Sequence, residues 1–290
     1  MSAPTTSTTA QAYAVCAAIT RSQAGNFFWG IRLLPPDKRE ALCALYALSR
    51  RIDDIGDGDL PAPEKLEALA ELRGQVLHLD ISDDPVLQAV ADTAERYPVP
   101  LGAFVEMVDG VEMDVLGRRY ATFSELEGYC RRVAGTVGRL CLGVFGAKPD
   151  AQAPHYADSL GIALQQVNIL RDIREDLANG RVYLPQDELD AYEVELKLDE
   201  NGTLHDPDGH LAALVRASAY RARQWYAEGL RLMPLLDRRS AACCGAMAGI
   251  YLHLLDQIGN RPEAVFDRRL SLSGWTKAGV AARALSGRRP

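Results

Sequence analysis

Three aspartates crowd the segment Arg50-Arg51-Ile52-Asp53-Asp54-Ile55-Gly56-Asp57. If the helical pattern through Leu42, Leu45, Tyr46 and Leu48 continues into it, then Tyr46, Arg50, Asp53 and Asp57 share one face. Negative charge at a helix C-terminus opposes the macrodipole, and like charges at i,i+4 repel, so something has to offset the cost. A solvated acidic helix end is the plain account. The chemical one is a hard divalent cation, which wants several carboxylate oxygens.

A second acidic stretch runs from Gln165 to Asp176. At helical spacing Gln165, Asn168, Asp172, Glu175 and Asp176 fall within an arc of about 100°, while Ile162, Val167, Ile169, Leu170, Ile173 and Leu177 cover most of the rest. This inverts a surface helix: a polar stripe on an apolar cylinder implies burial on most sides, with the stripe facing a wet cavity. Gln166 and Arg174 interrupt the apolar side, so a solvent-facing polar arc is the rival account. Together the two faces predict one cavity with a carboxylate cluster on each side. Such a site suits Mg²⁺, with Mn²⁺ as a substitute, rather than zinc. Carboxylates repel an anionic substrate, but Mg²⁺ keeps open positions for phosphate oxygens and stabilises a diphosphate leaving group. Diphosphate departure from an allylic carbon leaves a carbocation, which needs an apolar, water-poor pocket with aromatic faces.

The elements that must position these groups are helices. Helical spacing dominates from about Ala10 onward and period-2 runs of β-branched residues are nearly absent, so an all-α fold is expected. Turn residues cluster at 34–37, 56–61, 82–85, 97–100 and 148–150, none long enough to be a linker. One helical domain over 1–290, of roughly ten helices with a flexible start at 1–10, is the economical expectation. Lys197 to Gly209 reads as a surface loop, and there and just after it His205 and His210 beside Asp206 and Asp208 read as solvated rather than as a metal patch. The balance of 32 basic against 39 acidic residues has the wrong sign for general attraction to nucleic acid, which is excluded as a partner. The six cysteines show no CxxC pair and lie mostly in apolar stretches, so reduced thiols are expected. The start lacks a basic n-region and an apolar h-region, which points to a cytoplasmic protein. Ala241 to Leu255 reads as a buried helix. Trp275, Lys277, Val280, Arg283 and Leu285 read as a terminal helix, with peripheral contact to the inner face of the membrane as the alternative.

These segments resemble the squalene/phytoene synthase family. The family's DxxxD motif is matched by Asp53 and Asp57, its QxxNILRDxxED stretch by Gln165 to Asp176, and its GRxYxP stretch by Gly180 to Pro185. Tyr129 to Gly138 resembles its YCxxVAGxVG segment, and the likeness spans roughly Phe27 to Tyr251. The resemblance implies an isoprenoid-synthase helical fold with Mg²⁺ and a prenyl diphosphate between the clusters. It implies Asp53, Asp57, Asp172 and Asp176 as metal ligands, with Asn168, Asp54 and Glu175 alongside. It also implies diphosphate or metal contacts for Arg50, Gln165, Arg171, Arg181 and Tyr183, and a Tyr129 that faces the cation and steers proton loss. Where many members carry an SxSF-like pattern this chain reads Ser22-Gln23-Ala24-Gly25-Asn26-Phe27, leaving Asn26 as the donor.

Asp53-Asp54-Ile55-Gly56-Asp57 also satisfies the DDxxD of elongation enzymes and terpene cyclases, but Gln165 to Asp176 matches the second motif of neither. A non-catalytic helical lipid-binding protein or partner subunit would be expected to have lost carboxylates. By resemblance in 26–35, 51–61 and 164–185 the expected substrate is farnesyl diphosphate and the product presqualene diphosphate, as in hopanoid synthesis. Phytoene, dehydrosqualene or full squalene synthesis is the alternative. No dinucleotide fingerprint is present, so NADPH is not expected.

Overall fold

The computed structural model describes residues 9–79 and 82–287. Of the expected flexible start, 1–8 lie outside the described residues, while 9 and 10 already belong to the Ala-rich α1 (Thr9–Gln23). There follow α2 (Gly25–Ile31), α3 (Pro36–Asp57), α4 (Ala62–Leu77), α5 (Pro85–Arg96), α6 (Gly102–Val115) and α7 (Phe123–Cys130). A π-helical turn (Arg131–Gly135) joins α7 to α8 (Thr136–Phe145). Then come α9 (Ala153–Ala178), α10 (Gln186–Ala191), α11 (His210–Gly229), α12 (Arg238–Asn260) and α13 (Gly274–Leu285). No strand occurs among the described residues, and the fold is all-α. The excess over ten helices comes from short pieces such as α2 and α10, which are too brief to show a period in sequence.

The turn clusters fall between helices, and proline at the first positions of α3, α4, α5 and α9 sets the helical φ without wasting an amide. Asp84 caps α5 by accepting from the amides of Val86 (2.9 Å) and Leu87 (3.1 Å).

α9 packs against α8, α11, α12 and the π turn, and α3 packs against α1, α5, α6 and α8. The two acidic helices are therefore held by a common neighbour, α8. Buried residues occupy all sides of α9 in its first four turns, as an apolar cylinder requires. Two glycines permit the tight crossings. A Cβ on Gly138 would stand 2.3 Å from the carbonyl oxygen of Ala157, and one on Gly161 would stand 2.2 Å from that of Ala134.

α12 is long and apolar enough to cross a membrane, yet most of it is buried inside the protein. α13 packs Val280 and Ala281 inward and leaves Trp275 90% exposed. The segment 197–209 is more than a solvated loop. Leu198 and Leu204 form an isolated antiparallel bridge, Leu204 is buried, and Arg174 donates to the Gly202 carbonyl (3.1 Å). His205 is exposed, while Asp206 accepts from the amides of Leu211 (3.0 Å) and Ala212 (2.9 Å) at the start of α11.

Candidate active site

A cavity of about 240 Å³ lies between α3, α8, α9 and α12. α3 lines it with Leu42, Leu45, Tyr46, Ser49, Arg50 and Asp53; α9 lines it with Ala157, Leu160, Gly161, Leu164, Gln165 and Asn168. Both sets follow the same i, i+3, i+4, i+7, i+8, i+11 stripe, apolar in the earlier turns and polar in the last one. The far wall, including Leu140, Cys141, Phe145 and Cys244, is apolar, and Arg50 and Asp53 are the only charged lining residues among those described. The result is a hydrocarbon-compatible chamber with one polar end, formed by Ser49, Arg50 and Asp53 of α3 and Gln165 and Asn168 of α9; of the other expected site residues, Asp57, Arg171, Asp172, Asp176, Arg181 and Tyr183 do not line it.

The carboxylates at that end are under electrostatic load. Burial raises the Asp53 carboxyl to about 7, Arg50 opposes this, and Asp57, Asp54 and Asp114 add to it. Burial likewise raises Asp176 to about 7, reinforced by Asp172 and partly offset by Arg181. Arginines relieve the remainder. Arg181 donates to Asp57 (3.0 Å), tying the loop after α9 to the end of α3. Asp172 is gripped by Arg171 (2.7 Å) and by Arg269 (2.9 and 3.1 Å), and Arg269 stands 3.7 Å from Glu175. Arg50 pairs with Asp54, which lies away from the cavity in a separate hollow with Ile19 and Leu60.

The donor set fits a hard divalent cation. Asn168 gives its amide proton to Gln165 (3.2 Å), while its own carbonyl oxygen is buried without a hydrogen-bond partner beside this carboxylate-rich end. Among the described residues no three His, Cys, Asp or Glu side chains converge to enclose an ion as placed. The guanidiniums of Arg171, Arg181 and Arg269 hold the carboxylate oxygens instead.

Tyr129 is buried and does not line the cavity; Val133, one turn on, does. Its hydroxyl donates to Asp114 Oδ2 (2.8 Å), and that of Tyr183 donates to Oδ1 (2.8 Å). Asn26 sits half-buried on α2 beside Phe27, which lines the cavity, and Ser22 donates to the Ile19 carbonyl (2.9 Å). Asp114 and Arg269 escaped sequence reasoning. Asp114 carried a usable signal, since it too is an acidic residue in the last turn of a helix, α6. Arg269 carried none, being brought in from 97 positions away.

The sequence pattern of squalene/phytoene synthases matches residues 20–276, which contain both acidic helix ends and the whole cavity lining. A phytoene synthase of Mycobacterium tuberculosis is 56% identical over 276 residues, covering 95% of this chain and 91% of the relative. Among solved structures, a dehydrosqualene synthase bound to a ligand is similar with a TM-score of 0.84 at 26% identity, over 96% of this chain and 97% of that one. A squalene synthase from Alicyclobacillus acidocaldarius is similar with a TM-score of 0.75 at 26% identity, over 87% and 94%. An apolar chamber whose polar end is lined by Asp53 and Asn168, set in a chain matched over nearly its full length, leads to one conclusion: the chain belongs to the squalene/phytoene synthase family.

Proposed function

We propose that this chain joins two molecules of geranylgeranyl diphosphate head to head to form phytoene. The chemistry rests on one observation, the apolar cavity whose sole polar end carries Asp53 and Asn168 between two acidic helix termini. The product rests on similarity to phytoene synthases over 276 residues at 56% identity. That support is broader than the short segments behind the expectation of farnesyl diphosphate and presqualene diphosphate, which gives way to the alternative.

Asp53, Asp57, Asp172, Asp176 and Asn168 would hold Mg²⁺ or Mn²⁺, with Glu175 alongside and Asp54 left to Arg50. The bound metal supplies Lewis-acid stabilisation of a departing diphosphate. Arg50, Arg171 and Arg181 offer guanidiniums to phosphate oxygens as they exchange away from the carboxylates. Gln165 lines the cavity beside Asn168, Tyr183 is held on Asp114, and Asn26 precedes the lining residue Phe27. The C1–O bond of one substrate breaks with its electron pair leaving on diphosphate. The 2,3-double bond of the other attacks the C1 cation, and loss of a proton closes a cyclopropane. Leu45, Leu160 and Leu164 exclude water from the cation, and Tyr129 stands one turn from the wall to receive charge. A second ionisation ended by proton loss gives phytoene without hydride, so NADPH is not required. A cytoplasmic enzyme touching the inner membrane face through α13 and the exposed Trp275 fits so apolar a product.

Purified protein with Mg²⁺ and either geranylgeranyl or farnesyl diphosphate, with and without NADPH, followed by mass analysis of intact products, tests this. Phytoene from the longer substrate irrespective of NADPH is the expected result. Faster conversion of farnesyl diphosphate to a C30 product, or a requirement for NADPH, refutes the assignment.

A further inference from the structure

Asp114 lies outside every motif and outside the roles given above, yet its charge reaches both acidic clusters, bearing on Asp53 on one side and Asp176 on the other. It ends α6, half-buried, and each of its oxygens takes one phenolic hydroxyl, Tyr129 on Oδ2 and Tyr183 on Oδ1, both at 2.8 Å. The Tyr129 and Tyr183 rings stack with centroids 5.3 Å apart, and Tyr120 closes the group at 5.5 Å from Tyr129 and 6.3 Å from Tyr183. The hydroxyl of Tyr120 is buried without a partner, so nothing else in the cluster competes for the carboxylate. One side chain on α6 thus ties α7, which carries Tyr129, to the loop after α9, which carries Tyr183.

A phenol has one proton to give. The two rings stack with centroids 5.3 Å apart, and a neighbour at position 114 with only one acceptor oxygen would leave one of the two protons free for another partner. A carboxylate with an oxygen for each removes that freedom. Both phenolic oxygens then keep only lone pairs, and both rings, hydrogen-bonded to an anion, are electron-rich. Such groups can accept from an electron-poor carbon skeleton and cannot donate to it.

We propose that Asp114 is a positioning residue for Tyr129 and Tyr183, committing both phenolic protons and fixing both rings behind the wall at Val133, so that only lone pairs and electron-rich rings back the cavity when a carbocation forms there. This rests on the head-to-head reading above.

The test uses Asp114→Asn, Asp114→Glu and Tyr129→Phe/Tyr183→Phe, alone and combined. In protein without substrate, the fall in thermal midpoint caused by Asp114→Asn is expected to shrink by at least about half in the double-Phe background, because the shared contact is already gone. In turnover, Asp114→Asn is expected to lower kcat about ten- to a hundredfold with KM within about threefold, the size expected when a positioned group is misaimed. Asp114→Glu should recover part of that rate, and Asp114→Asn should cost less than about twofold more when added to Tyr129→Phe. Additive thermal effects, or an Asp114→Asn kcat within about twofold of wild type, overturn the proposal. So does a higher Mg²⁺ requirement with normal kcat at saturation, which would make Asp114 a metal ligand. A wild type that makes no head-to-head product from either substrate sinks the functional reading and the catalytic part of this one; an active wild type with an unaffected Asp114→Asn sinks this one alone.

Discussion

Replacing Gly161 by alanine isolates the steric requirement that sets the spacing of the cavity walls. The new Cβ would stand 2.2 Å from the carbonyl oxygen of Ala134 and 2.8 Å from the amide nitrogen of Gly135, both backbone atoms of the π turn. A carbon reaches a carbonyl oxygen no closer than about 3.3 Å, so α9 and the turn must part by about 1 Å. Overpacking of this kind costs about 1–3 kcal/mol, and the helix-propensity gain of Gly→Ala returns about 1 kcal/mol. Gly74, inside α4 with nothing within 4 Å of its Cβ position, carries the same gain without the clash. With an unfolding entropy of about 2.1 cal/mol/K per residue, about 0.6 kcal/mol/K for a chain of this length, Gly161→Ala should melt about 2–5 °C below Gly74→Ala. Gln165 and Asn168 ride on the displaced turn of α9 and Val133 and Ala134 on its partner, so kcat should fall about a hundredfold. Calorimetry and steady-state kinetics on the two variants decide it. Gly161→Ala melting level with Gly74→Ala at wild-type activity would refute the reasoning.

Other outcomes follow from the same geometry. Asp53→Asn and Asp172→Asn should each lose at least about a hundredfold in kcat with Mg²⁺ in excess; near-wild-type turnover in either, with circular dichroism unchanged, removes the two-cluster mechanism. At the start of α12, Asp237 accepts from Lys38 (2.7 Å), Ser240 Oγ (2.7 Å) and the amides of Arg239 (2.8 Å) and Ser240 (3.1 Å). Burial alone would raise its carboxyl, but these partners hold it well below the usual range. A depressed value contributes stability above the unfolded carboxylate pKa near 3.9 and loses it as pH falls further, so Asp237→Ala should cost about 0.5–2 kcal/mol at pH 7 and flatten the acid limb of the melting profile below about pH 4. An unchanged acid limb refutes the assignment. All six cysteines are free, and burial pushes the thiols of Cys16, Cys141 and Cys244 up to about 12. Thiol reagent at pH 8 should therefore titrate six groups in denatured, unreduced protein and react slowly with the native form; a protected pair found by mass spectrometry overturns this.

Periodicity by itself determined the helical class and the polar faces of α3 and α9, and turn residues marked the breaks that flank α3 and α5, because each is a relation among residues a few positions apart that the backbone geometry enforces. It also marked the two acidic helix ends as costly, since dipole and like-charge repulsion are local effects. Spacing put Asp53 on one face with Tyr46 and Arg50 and left Asp54 off it, but only the packing of α3 against its neighbours turned the first face to the cavity and Asp54 to a second hollow. Nor could the sequence foresee that the polar-looking segment 197–209 buries Leu204, whose amide donates to the carbonyl of Phe266 (3.0 Å). The pairings that arm the site join residues far apart in the chain: Tyr183 with Asp114 across 69 positions, Arg269 with Asp172 across 97, and Arg181 with Asp57 across 124. No spacing rule reaches that far. Those contacts depend on how the helices pack, and there Gly138 and Gly161 let α9 cross α8 and the π turn at backbone contact.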